Sequence, residues 1–185
     1  DLASRPAPPA RTLTAMTTDT GITTTALPLA TGRWTLDGLH SSVTFAIRHL
    51  GLARVRGRFT DVDATLDVGE RAGDLQVEAT VALGSIDTGN ADRDAHVRSP
   101  EFLDADRHPT MTFRSTGIRG AGDDWTMDGD LTLGGVTRPV SFAVEFCGAS
   151  DAMGRMSAGF TTSGTVSRRE HGIDFGPMYN AGLGD

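Results

Sequence analysis

Apolar residues in this chain recur at every second position, and that period limits the fold more than any other feature. The runs Val43-x-Phe45-x-Ile47, Leu75-x-Val77-x-Ala79-x-Val81-x-Leu83, Met111-x-Phe113 and Leu131-x-Leu133 are interleaved with Thr, Arg, Glu, Gln and Asp. Successive side chains of a strand point to opposite faces, so the pattern describes strands with one face buried and one wet, as in an antiparallel sandwich or barrel. Glycine-rich punctuation falls between the runs at Gly69 to Gly73, Gly120 to Asp124 and Gly134-Gly135, and each predicts a hairpin. A later pair, Val140-x-Phe142-x-Val144-x-Phe146 and Ala158-x-Phe160-x-Thr162-x-Gly164-x-Val166, predicts one more, with Gly148 to Gly154 between its strands. Seven strands are expected in all. Only Asn90 to about Leu103 breaks the pattern: Asn90 can cap, Ala91 to Val97 favour helix and Pro100 permits a second short turn, which predicts a helical lid or plug at one end. There is no internal repeat.

A length of 185 residues suits one domain with a real core, and the alternation begins only near Trp34. Residues 1–32 are rich in Thr, Ala and Pro and predict a disordered tail, leaving 33–185 as the folded domain. Met16 followed by Thr-Thr-Asp-Thr reads as a natural start, with residues 1–15 upstream of it. A formal charge of −7 and a pI near 5.1 argue against a nucleic-acid partner, whose phosphates call for a basic face. Cys147 is the single cysteine, so the fold rests on packing without an internal disulfide, which suits the cytoplasm. No stretch approaches the roughly 18 apolar residues of a spanning helix, and the N-terminus lacks the pattern of a secretory signal.

The chemistry-bearing residues form no catalytic signature. There is no Gly-x-Ser-x-Gly elbow, and Cys147 ends a strand with no histidine close in sequence. The five histidines, His40, His49, His96, His108 and His171, make no His-x-His or His-Glu-x-x-His pair, so capping, turn and core hydrogen bonds explain them better than a metal does. Gly117 to Gly122 precedes a charged turn rather than a helix, whereas a phosphate cradle needs a helix N-terminus behind it. Asp61, Asp63, Asp67, Asp104 and Asp106 sit at turns or on the polar side of an alternation, unlike the carboxylate pair of a glycosidase cleft.

The interior remains. The inward candidates Phe45, Ile47, Phe59, Val77, Val81, Phe113, Leu131, Phe142 and Phe160 are large, while Ala79, Ser115, Gly129 and Gly164 are small, and small positions among large ones leave space. A barrel of about eight strands is at the size where side chains either fill the interior or leave room for one small ligand. Periodicity leaves both readings open.

Several motifs in fixed order narrow the choice. They are Trp34-Thr-Leu-Asp-Gly-Leu-His40-Ser-Ser-Val-Thr-Phe45, Arg48-His49-Leu-Gly, Val55-Arg-Gly57-Arg58-Phe59, Ser85-Ile-Asp87-Thr-Gly89-Asn90, Arg93-Asp94-Ala-His96, Ser99-Pro-Glu-Phe102-Leu-Asp104, His108-Pro109-Thr-Met-Thr-Phe113 and Gly129-Asp-Leu-Thr-Leu-Gly-Gly-Val-Thr-Arg138-Pro139-Val. Over about residues 33–175 the chain resembles the YceI-like family of lipocalin-like barrels associated with polyisoprenoids and related lipids. The resemblance implies an all-β, eight-stranded antiparallel barrel with a short helical segment. Its apolar tunnel would hold a polyisoprenoid, an isoprenoid quinone or a fatty-acyl chain, with no other cofactor and no catalysis. Arg48, His49, Arg93, His96 and Arg138 are then the candidates for the head group, although Arg93 with Asp94 can equally tie the helix to the barrel.

Two alternatives stand beside lipid storage or transport. One is a stress-related module that sequesters varied apolar molecules; the other is an enzyme acting on a bound lipid or quinone, which needs Arg48, His49 or His96 turned inward. Family members usually continue past the region of Gly182-Leu-Gly-Asp185 into a last hydrophobic strand. Its absence would leave an unpaired edge, and three explanations compete: a shortened chain, strand donation from about Ala26 to Thr31, or pairing with a second subunit in a homodimer.

Overall fold

The computed structural model describes residues 29–49, 52–71, 74–152 and 154–174. Ten strands and one helix follow in chain order: β1 (Gly32–Thr35), β2 (Val43–His49), β3 (Ala53–Phe59), β4 (Val62–Val68), β5 (Leu75–Ala82), β6 (Ile86–Asp87), α1 (Ala91–Arg98), β7 (Thr110–Ala121), β8 (Asp124–Leu133), β9 (Val136–Ala152) and β10 (Arg155–Ser163). Each alternating run of the sequence falls on one of these strands, although the Leu75 run passes one residue beyond β5 to Leu83 and the Ala158 run passes beyond β10 to Gly164 and Val166, and all pairings are antiparallel. Seven strands form a curled half-barrel in the order β1-β4-β5-β7-β8-β9-β10, and β2-β3-β6 form a small second sheet.

The small sheet continues the large one across a corner. β3 runs into β4 through Thr60 and Asp61, and β5 runs into β6 through a 3-10 turn at Leu83–Ser85. The two breaks face each other, with the Thr60 N–H donating to Ser85 O at 3.2 Å and the Ala82 N–H to Asp61 O at 3.0 Å. β1 pairs with β4 and β2 with β3, so the loop between β1 and β2 breaks the first path at the same level. Counted along these paths the described residues make seven long strands in an up-and-down meander, the number the alternation predicts. The eighth strand implied for a closed barrel is not among the described residues, which end at 174, and among them β1 and β10 form the two edges of the half-barrel. The tail expected over 1–32 also lies outside them as far as residue 28, while Gly32 already opens β1.

Turn chemistry sets the register. Leu133 and Val136 are direct partners across Gly134 (φ 60°) and Gly135 (φ 77°), the paired positive φ angles of a two-residue I′ hairpin. The expected Gly148 to Gly154 connection is shorter than its composition suggests. β9 continues to Ala152, which pairs with Arg155, because small residues on both sides let the ladder go on: Ala149 faces Ala158 and Ser150 faces Ser157.

The core sits on the inner face of the curl. Phe113, Met127 and Leu131 are buried there, with Val77, Ala79, Ile118, Val140, Phe142, Val144 and Val166 packed around them. A second cluster, Leu83, Leu133 and Ile173 against Phe59, Leu103, Ala105 and Met111, fills one end of the curl. The turn after β10 closes over that end, where His171, only 2% exposed, places Nδ1 2.9 Å from Ser167 O and Nε2 3.4 Å from Leu131 O.

Candidate apolar binding face

Cross-strand register decides what faces the inside of the curl, since directly opposed residues share a face. From β4 to Phe160 on β10 the inner positions are apolar apart from Ser115, Arg138 and Thr162. The inner side is therefore an apolar trough, filled at one end by the Leu83, Leu133 and Ile173 cluster. Towards β10 it presents aromatic rings: Phe142 lies 5.4 Å from Phe113, edge to face, and Phe146 lies 5.3 Å from Phe160.

The small inner residues do not leave space, contrary to the expectation from their size. A Cβ on Gly129 would meet the Phe113 ring at 2.4 Å, and one on Gly164 would meet the Phe142 ring at 2.5 Å. The Ser115 hydroxyl accepts the Val77 N–H at 2.8 Å beside a bulge in β7. Each glycine seats an aromatic ring from a neighbouring strand, so the mixture of sizes fills the interior instead of hollowing it. Gly57 on the small sheet holds the Phe45 ring in the same way.

The nine apolar candidates divide by burial. Val81, Phe113 and Leu131 are buried in the packed interior. Phe45, Phe59, Val77 and Phe142 are half-buried, while Ile47 and Phe160 remain 39% and 37% exposed. Phe45 stacks at 5.5 Å on Phe59, which joins the end cluster, so the Phe45 and Ile47 side of the small sheet continues the inner face. Trp125, Met127, Val144 and Phe146 complete the trough and were not among the candidates. The signal for them was present: Trp125-x-Met127-x-Gly129-x-Leu131 extends the Leu131-x-Leu133 alternation by three steps, and Val144 and Phe146 belong to the alternating run that starts at Val140.

The polar candidates do not gather. Arg93 spends its guanidinium on Thr88, with Nε 2.8 Å from Oγ1 and Nη2 2.9 Å from the carbonyl. Buried Asp94 accepts from the N–H and hydroxyl of the same threonine at 3.0 and 2.6 Å, so Arg93 and Asp94 tie the helix to β6. His96 is exposed, 2.9 Å from Glu101 and packed edge-on to Phe102. Arg138 donates to the Glu170 carbonyl at 2.9 Å and fastens the turn after β10. Arg48 is exposed on the outer face of the small sheet, opposite Arg54, and the side chain of His49 lies outside the described residues. Asp87, partner of Arg58 on that face, has its carboxyl held below the usual carboxylate range by the Gly89 N–H and by the Arg58 guanidinium. Among the described residues no three His, Cys, Asp or Glu side chains come close enough to hold a metal.

The motifs from Trp34 onward thus lie on one meander with a polar strap between β6 and β7, and a family model described as the YceI-like domain matches residues 34–185. The chain belongs to the YceI-like family. It is 40% identical over 146 residues to the YceI protein of Escherichia coli and 39% identical over 145 residues to a UPF0312 protein of Pectobacterium atrosepticum, in both cases over 76% of each chain. Among solved structures, the YceI protein of Campylobacter jejuni matches with a TM-score of 0.61 at 29% identity, over 75% of this chain and 83% of that one. BcnA of Burkholderia cenocepacia shares the fold at a TM-score of 0.63 and 22% identity, over 73% of this chain and 82% of that one. No helix among the described residues of this YceI-like chain is long and apolar enough to cross a membrane.

Proposed function

We propose that this YceI-like protein binds a long apolar lipid chain, of the polyisoprenoid, isoprenoid quinone or fatty-acyl class, along the inner face of its curl, and carries or stores it. The observation that carries the reading is the trough itself. Its inner positions are apolar across six adjoining strands apart from Ser115, Arg138 and Thr162, it is packed shut at one end, and towards β10 the half-buried Phe142 and the 37% exposed Phe160 lie where an incoming chain would meet them. Removing apolar surface from water is worth about 25 cal/mol per Å², so a long chain gains affinity from length alone and needs few polar contacts. The family resemblance supports the same ligand class.

An enzymatic reading finds less support. Arg48 is exposed on the outer face, His96 is engaged with Glu101, and Arg93 is committed to Thr88, so these groups bring no acid, base or nucleophile to the trough.

Uptake of a fluorescent polyprenyl probe by the purified chain, with bound mass read by native mass spectrometry, tests the proposal. Saturable uptake that weakens about tenfold in Phe160→Ser, with unchanged circular dichroism, is the expected result; one partly exposed ring with its contacts is of the order of 1.4 kcal/mol, or tenfold. No uptake, or uptake indifferent to that substitution, overturns it. Unrelated apolar compounds that displace the probe equally well would point instead to a sequestration module.

A further inference from the structure

The outer face of the β2–β3 hairpin carries a charge unlike that of the molecule. Acidic residues outnumber basic ones 24 to 17 in the chain, yet residues 43–59 contain four arginines and no acidic residue. Register brings all four to one face: Arg48 lies opposite Arg54, Ala46 opposite Arg56, and Thr44 opposite Arg58. All are exposed. Arg58 is engaged by Asp87 at 2.9 Å, whereas Arg48, Arg54 and Arg56 have no side-chain partner among the described residues. Holding like charges side by side on two strands is unfavourable unless something anionic meets them. An open depression of about 570 Å³ lies at the Arg56 end of this face, lined by Thr44, Ala46, Arg56, Arg58 and Asp87 among others.

The tip adds an apolar element. Leu52 is 93% exposed between Arg48 and Arg54, and Ile47 and Val55 pair on the opposite face, Ile47 being 39% exposed. An exposed leucine beside a row of guanidinium forks suits a surface that is apolar just beneath its phosphates. A duplex nucleic acid or an acidic peptide offers the charge without the oil. We infer that the β2–β3 hairpin docks this protein on an anionic lipid bilayer, with Arg48, Arg54 and Arg56 on the lipid phosphates and Leu52 entering the interface. The inference goes beyond binding of a lipid in the trough and stands apart from it, since the arginines lie on the outer face.

The test uses the full chain in flotation assays with vesicles of phosphatidylcholine alone or mixed with phosphatidylglycerol, across a range of salt. The expected result is binding only to the anionic vesicles, falling as salt rises. The triple variant Arg48→Gln, Arg54→Gln, Arg56→Gln should bind about a hundredfold more weakly, since each arginine near such a surface is worth about fivefold. Leu52→Asp should also lose binding, while Arg107→Gln, at an exposed arginine elsewhere, should not. Circular dichroism and uptake of the polyprenyl probe from detergent should stay unchanged in the triple variant, which separates docking from the interior site. Binding equally to both vesicles, full binding by the triple variant, or tighter binding to a DNA duplex than to anionic vesicles each overturns the inference.

Discussion

At single residues, the interior of this half-barrel is filled by setting an aromatic ring from one strand against a glycine on the next. Phe113 on Gly129 shows it most fully, because the missing Cβ is flanked by the ring at 2.4 Å and by the Arg114 carbonyl at 2.5 Å. The ring could swing away from a methyl group, but the carbonyl belongs to the ladder and cannot. Gly129→Ala should therefore cost about 1–3 kcal/mol, the usual penalty of overpacking a well-filled core, read as a lower urea midpoint at an unchanged m-value. Gly159 is the internal control. A Cβ there meets only the Cys147 Cβ at 3.4 Å, so Gly159→Ala should stay within about 0.5 kcal/mol of the parent. Equal losses at the two sites would mean that glycine's backbone freedom, and not the ring it seats, explains its presence. This is also why the cavity was illegible in the sequence: size at one position says nothing about which neighbouring ring reaches into it.

At the scale of elements, the helix differs from a lid in what it buries. Its one buried residue is Asp94, and its exposed faces carry Asp92, Arg93 and His96, so it is fastened by polar contacts and offers no apolar face to a ligand. The sequence announced the helix through its cap, and Asn90 does accept the Arg93 N–H at 2.9 Å. Asn90→Ala should cost about 1 kcal/mol. Asp94→Ala leaves two Thr88 donors unanswered in a half-buried site and should cost about 1.5–3 kcal/mol. Both losses should show first as faster hydrogen exchange of the helix amides, ahead of those of β7 to β9; uniform acceleration across the sheet would instead make the helix part of the cooperative core. The hairpins were legible for a related reason: alternation and turn residues act locally. The corner at Thr60 and Asp61 was not, since nothing in the flanking Phe59 and Val62 shows that the chain changes sheet between them.

For the whole molecule, two exposed ion pairs fasten the early strands where the curl is open. Arg33 grips Asp67 through two bonds of 2.8 and 2.7 Å and clips the edge strand β1 to β4, while Arg58 and Asp87 clip β3 to β6. The arginine hydrogen bond holds the Asp67 carboxyl below its usual range, and the Gly89 N–H followed by Arg58 does so for Asp87. Because both folded values are depressed, the unfolded chain takes up protons first as pH falls. Their stabilisation is complete above an ordinary aspartate pKa of about 4 and is lost as the pH drops through the lower folded values. The urea midpoint should hardly change between about pH 7 and pH 5 on their account and should decline below about pH 4. The double variant Asp67→Asn, Asp87→Asn should start from a lower midpoint at neutral pH and fall less steeply in acid. High salt should narrow the gap between parent and variant, since both pairs face solvent. An acid slope identical in parent and variant would place the pH dependence in other carboxyls and leave the open side of the curl held by its backbone ladders alone.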